Sequence, residues 1–398
     1  MPPWTAHRFD PEAALPGPPE PGAGAATPEL RSGPPWAMTE MIAAEPALAG
    51  RLLRRLAIGD GPAARLADEI RSVAGAGDPI RVVGCGTSEH GAQALALIVG
   101  SALAGTGARG VAIEAVQAFE ASLLPQAGGL VIGISHEGGT EATIAALASA
   151  RAAGSRTAVI TADGGSPAAA AADLVIATGE MDASWCHTVG YLSPLLVATA
   201  LAGHLAGHQP DADAVRAGLA GGADGAAAIS LAAALAPSHH VFVIGSGADR
   251  PAARELALKI EEATWLPATM CDLETFLHGH LPAADAGTGL VLLLSDQDRL
   301  DARAARAAQA LSAAHEIGLR AGAILGDAAA AALGDAPIVA GRLRAVPPAG
   351  LDGPAAALLA TVTPLQLLTE RLARVRGTNP DLIRRDQSAY LRASDAAR

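Results

Sequence analysis

The chain has 398 residues, half of them apolar and 17% charged, so it is too long for one core of ordinary size and too apolar to be largely disordered. Its formal charge of −12 would repel a phosphodiester backbone, and no Lys/Arg-rich stripe interleaved with aromatic residues offsets it, so nucleic acid is excluded as a partner. Two domains are expected.

Residues 2–35 are crowded with Pro, Gly and Ala and carry neither helical nor strand periodicity, so residues 1–37 read as a disordered tail. No charged start followed by an apolar core and a cleavage site is seen, which predicts no secretory leader. The three cysteines, Cys85, Cys186 and Cys271, are far apart and odd in number, which fits a reducing cytoplasm rather than a disulfide framework.

A helical pattern begins at Thr39, and the run Ile80–Gly84 is short, apolar and ends in glycine, as a buried parallel strand does. Similar runs at 110–116, 129–134 and 156–161 are separated by Ala-rich segments of helical length, which makes a βαβ series. Residues 189–207 are the most apolar long stretch, but Ser193, Pro194 and His204 interrupt them, so they read as a buried helix and no membrane contact is expected.

A weak internal repeat follows, because IRVVGCGTSEHGAQALALIV from Ile80 resembles HVFVIGSGADRPAARELALKI from His240. Each copy is strand, Gly-x-Gly, helix. Runs at 289–294 and 320–325 and a helix over 354–376 complete a second half. Neither Gly-x-Gly has the third glycine or the following acidic residue of a dinucleotide site, so no nicotinamide or other cofactor is expected.

Two strand-to-helix turns carry hydroxyls. Cys85-Gly86-Thr87-Ser88 would present them beside free backbone N–H groups, as an anion cradle does, although a lone Thr or Ser there could be only a helix N-cap. Ser135, His136, Glu137, Gly138, Gly139 and Thr140 form the second turn, which taken alone would be an ordinary connector.

The two turns, the repeat and the segment 255–262 together resemble the tandem sugar isomerase (SIS) family that includes the isomerase half of glucosamine-6-phosphate synthase. The resemblance runs from about Met38 to Arg385, with residues 41–48, His187-Thr188, His278-Gly279 and Asn379-Pro380-Asp381 in order. It implies two tandem doubly wound, flavodoxin-like α/β SIS domains, over 38–208 and 209–398, with parallel sheets flanked by helices. It also implies a site at the strand C-termini and a homodimer interface, and a small sugar phosphate or amino sugar as partner.

By the same resemblance Glu262 is the proton-transferring carboxylate, His278 the ring-opening histidine, and Lys259 the electrostatic or imine-forming lysine. Cys85, Gly86, Thr87, Ser88, Ser135, His136, Gly138, Thr140 and His187 are then substrate- or phosphate-binding. The chemistry is coherent: moving a carbonyl between C1 and C2 needs one carboxylate to shuttle the C–H proton and a cation or donor to steady the enediolate.

Lys259 and Glu262, three apart on one helix face, could equally be a surface ion pair. Lys259 is, however, the only lysine in a chain whose other fixed cations are arginine. His278-x-His280 could bind a metal, but no neighbouring carboxylate or cysteine completes a ligand set, so none is expected.

The family usually reads Ser-Gln-Ser-Gly-Glu-Thr at the second turn, where this chain has His136, Glu137 and Gly139. A carboxylate facing a phosphate is unfavourable unless Glu137 points away, or protonated His136 or His187 compensates it, or the substrate is unphosphorylated or bears an amine. His187 and Val189 replace the usual serine and lysine, Thr275 stands where many members have glutamate, and the ending from Arg384 lacks the synthase's ring-opening lysine. No glutamine-hydrolysing domain is expected before Met38. Isomerisation, deamination of an amino-sugar phosphate and cleavage of a sugar–amine adduct all remain, with a non-catalytic sugar-phosphate-binding regulator as the rival.

Overall fold

The computed structural model describes residues 9–19, 27–105 and 112–397. In the first half, β1 (Ile80–Gly84), β2 (Ile113–Gln117), β3 (Leu130–Ile134), β4 (Arg156–Thr161) and β5 (Leu174–Ala177) pair in parallel in the order β2-β1-β3-β4-β5. In the second, β6 (His240–Gly245), β7 (Ala268–Cys271), β8 (Thr288–Leu294), β9 (Arg320–Leu325) and β10 (Gly341–Arg344) pair as β10-β9-β8-β6-β7. Read from the other edge, the second order repeats the first, so the weak sequence repeat is a repeat of winding. The two doubly wound α/β sheets expected from the sequence are the architecture.

Of the run expected at 110–116, residues 110 and 111 lie outside the described residues and residues 113–116 contribute to β2. The short strands β5, β7 and β10 were not anticipated. Each has four residues and sits at a sheet edge, paired on one side only, so each is too short a run to stand out in the sequence.

Helices cover both faces of each sheet. Those that build the site are α1 (Ala37–Leu56), α2 (Thr87–Gly105), α3 (Glu141–Ala152), α4 (Val189–Ala206), α5 (Arg250–Thr264) and α6 (Gly353–Arg376). Helix α4 is long and apolar enough to cross a membrane, and 83% of it is buried inside the protein. Its neighbour α2 is packed so closely that a Cβ at Gly91 would lie 2.9 Å from Pro194. One continuous core joins the halves, running through Leu48, Leu95, Leu196, Leu256 and Val362 from five of these helices.

Part of the segment expected to be a disordered tail is packed instead; residues 1–8 and 20–26 of it lie outside the described residues. Leu15 is buried, its N–H donates to Glu180 at 2.9 Å, and Met181 N–H donates to Pro16 at 2.9 Å. Proline limits the chain to extended backbone, which can lie against a neighbour without any helical or strand periodicity to announce it.

Candidate active site

A cavity of about 1070 Å³ opens where β1 and β3 end and the winding of the first sheet reverses. Residues 85–88 form one wall and residues from 136 to 145 another. Trp185, His187, Ile383 and Arg385 add to it, and Glu262 enters from the second half.

Backbone geometry explains the glycines of both turns. Gly86 has φ +57°, and a Cβ at Gly84 would lie 2.4 Å from the carbonyl oxygen of Ser88, so β1 can press against the first turn of α2 only without a side chain. Gly138 has φ +71°, and a Cβ there would meet Ser166 Oγ at 2.0 Å. Gly138 is therefore buried and shapes the turn without lining the cavity. Ser135 is likewise buried, and its hydroxyl donates to Thr140 at 3.2 Å, so Thr140 and not Ser135 faces the cavity.

On the first wall Ser88 is partly exposed, while Cys85 is half-buried, its thiol pushed up by burial and so kept protonated. Thr87 is buried and committed: it donates to Glu255 at 3.2 Å and accepts from Lys259 at 2.9 Å. A reading of its hydroxyl as a free anion ligand does not fit those bonds.

Lys259 and Glu262 do not form a surface ion pair. Lys259 is 1% exposed, 2.5 Å from the Glu262 carboxylate and 3.5 Å from that of Glu255. Burial alone would lower its affinity for a proton, but the carboxylates of Glu255 and Glu262 outweigh burial and hold the ammonium charged. Glu255, fully buried, also meets His90 Nδ1 at 2.7 Å; burial raises its carboxyl, and the larger pull of Lys259, His90 and Thr87 lowers it overall. Glu262 is the member that reaches the cavity, with 23% of its side chain accessible; burial raises its carboxyl and Lys259 partly offsets that.

His136 in the second turn and His187 beside it are both held toward the neutral form. Asp182 N–H donates to His136 Nε2 at 2.9 Å, which requires a lone pair on that nitrogen and leaves the proton on Nδ1. Burial lowers His136 as well, against the pull of Asp182. His187, 5.0 Å away ring to ring, is pushed well down by burial and then by His136, Lys259 and Arg385. The expectation that a protonated His136 or His187 compensates Glu137 is thus corrected: burial and the Asp182 bond remove the proton.

The cation at this wall is Arg385, which the sequence reading passed over. Asp381 anchors its segment by accepting from Ala37 and Met38 N–H at 2.8 and 2.9 Å at the start of α1, and its carbonyl accepts from Trp185 N–H at 2.9 Å. The chain then turns through positive φ at Ile383 (+42°) and Arg384 (+68°), and Arg385 lies over the Trp185 ring at 4.9 Å. A β-branched residue in that region is strained, and the strain aims Arg385 into the cavity.

His278 is not brought to the cavity within one chain. It lies on an exposed π-helical turn, 3.2 Å from Glu274, which Arg306 also pairs at 2.6 Å. Among the described residues no group of three or more His, Cys, Asp or Glu side chains is placed to hold a metal.

The matching crevice of the second half is filled by its own side chains. Ala248 N–H donates to Asp296 at 2.8 Å, Asp296 pairs with Arg303, and Asp249 accepts from Ser295 and Asp296 N–H at 2.8 and 3.0 Å. The open cavity described above belongs to the first half's crevice.

A family model described as SIS domain matches residues 77–203 and 234–331. The glutamine–fructose-6-phosphate aminotransferase (isomerizing) of Zymomonas mobilis subsp. mobilis is 33% identical over 180 residues, 42% of this chain and 30% of that protein, so the chain spans well under half of this relative. Among solved structures, the C-terminal domain of glucosamine-fructose-6-phosphate aminotransferase from Francisella tularensis superposes with TM-score 0.73 at 18% identity, covering 89% of this chain and 99% of that one. Tagatose-6-phosphate ketose/aldose isomerase from Escherichia coli superposes with TM-score 0.67 at 18% identity, covering 90% and 97%.

Proposed function

This chain belongs to the SIS domain family, and we propose that it is an enzyme of the sugar-phosphate isomerase type that enolises a sugar or amino sugar, phosphorylated or not, either interconverting aldose and ketose or releasing the amine. The observation that carries this is the placement of Glu262: a carboxylate at the wall of the open crevice, backed at 2.5 Å by a buried ammonium. Such a pair can take a proton from C1 or C2 and return it to the neighbouring carbon. The charge on Lys259 partly offsets the effect of burial on the carboxylate and steadies the enediolate.

Lys259 acts electrostatically in this proposal. Its ammonium has three partners, Glu262, Glu255 and Thr87, and almost no exposure, which does not suit attack on a carbonyl to form an imine. Ser88, Thr140, Arg385 and the Nδ1–H of His136 are among the donors at the cavity for sugar hydroxyls.

His278 takes the ring-opening role from a second copy of the chain, consistent with the dimer that the resemblance implies and with its exposed position on this one. The three unpaired cysteines suit a reducing cytoplasm. The function is tested by mass-resolved deuterium exchange with fructose 6-phosphate, glucosamine 6-phosphate and their unphosphorylated forms, where label entering at C1 or C2 reports enolisation. Tight binding without label would instead identify a non-catalytic sugar-binding protein.

A further inference from the structure

We propose that Glu137 sets the selectivity of the cavity: the turn 135–140 receives an ammonium or hydroxyl substituent of the sugar and turns a phosphate away. This rests on the reading that the crevice holds a sugar, and goes beyond it by assigning the chemical class of the group at one end.

By backbone alone the turn would favour an anion. It precedes the N-terminus of α3, whose first N–H groups have no helical partner, and Thr140 places a hydroxyl beside them. The side chains reverse that preference. Glu137, Glu141 and Glu262 all line the cavity, and Asp182 lies behind the turn, close enough to raise the Glu137 carboxyl further after burial has raised it.

The counter-charge at the turn falls short of these carboxylates. His136 cannot take a second proton without losing the bond from Asp182 N–H, and His187 faces His136, Lys259 and Arg385. The charge of Lys259 is engaged by Glu255 and Glu262. Among the described residues Arg385 is the one arginine or lysine that lines the cavity, and it faces Glu137 from the opposite, C-terminal segment. Among the described residues the Glu137 side chain accepts no hydrogen bond from the chain, so its oxygens remain to receive donors from a ligand. With Glu262 paired by Lys259, a phosphate dianion at the turn would meet repulsion from Glu137 and Glu141, with Asp182 behind them, and attraction from one guanidinium. An ammonium would meet the reverse.

The experiment is equilibrium binding by calorimetry of glucosamine, glucosamine 6-phosphate, fructose and fructose 6-phosphate to the full chain, in the wild type and in the Glu137→Gln and Glu137→Ser variants. The expected result is that phosphorylation gives no gain in wild-type affinity, that glucosamine binds tighter than fructose, and that both substitutions shift the preference toward the phosphorylated sugar at least tenfold. A wild type that prefers phosphorylated sugars tenfold or more, with the ratio unchanged in both variants, overturns the assignment of Glu137. Enolisation would still stand in that case, since label exchange that depends on Glu262 is a separate readout. Absence of binding by all four sugars to all three proteins overturns both.

Discussion

The ammonium of Lys259 donates to the hydroxyl of Thr87 at 2.9 Å, and through that bond the helix carrying Glu262 is tied to the first turn of the other half. The open crevice belongs to the first sheet, while its proposed proton carrier belongs to the second half. Relative placement of the halves is therefore part of the chemistry, and a shared core together with this buried triad fixes it.

Removing the cation should be felt first as stability. Lys259→Met leaves Glu255 buried with only His90 and Thr87 as partners and removes the ammonium beside Glu262; breaking a buried pair in this way typically costs about 3–5 kcal/mol. Urea unfolding should show a midpoint lowered accordingly. A midpoint within experimental error of the wild type would mean that the triad does not hold the halves together.

A second copy of the chain supplies His278 in the proposed mechanism, so two inactive proteins should rescue each other. Glu262→Gln and His278→Ala, mixed and allowed to exchange subunits, should recover about a quarter of wild-type turnover, because half of the random dimers then contain one intact site. Mixtures no more active than their components would place His278 outside the reaction.

Stability should carry a pH signature from Asp249. Burial raises its carboxyl from the ordinary 3.8 to about 6, despite the bonds from Ser295 and Asp296. The folded protein then holds this proton more tightly than the unfolded chain. Its favourable contribution is complete below the unfolded value and is lost as pH rises through the folded one, a difference of about 3 kcal/mol. Unfolding measured from pH 4 to pH 7 should show the wild type losing stability relative to Asp249→Asn over that window. A constant difference between the two would contradict the shift.

Gly138 should tolerate no side chain. Its positive φ and the 2.0 Å approach of a Cβ to Ser166 predict that Gly138→Ala costs about 1–3 kcal/mol and displaces the second turn. Sugar binding should weaken together with stability, and a variant as stable as the wild type would show that the turn can relax.

The central strands were legible because buried parallel strands are continuous apolar runs: β1, β4 and β9 fall where the sequence placed them. Edge strands such as β10, with the sequence Gly-Arg-Leu-Arg, show no such run. At the site, the glycines and hydroxyls of two turns and a solitary lysine were visible. What was hidden is relational. Nothing local says that Thr87 is consumed by Lys259, or that a backbone N–H from residue 182 fixes the tautomer of His136. Arg385 was hidden for another reason: its direction depends on left-handed backbone at Ile383, a residue type that does not signal such a turn.

The most direct measurement is deuterium incorporation at C1 and C2 of the sugar panel, comparing the wild type with Glu262→Gln. Solvent label should enter at one of these carbons with the wild type, and the variant should be slowed about 10²–10⁴-fold while it still binds the same sugar. Equal labelling by both proteins would contradict the assignment of Glu262 as the proton carrier.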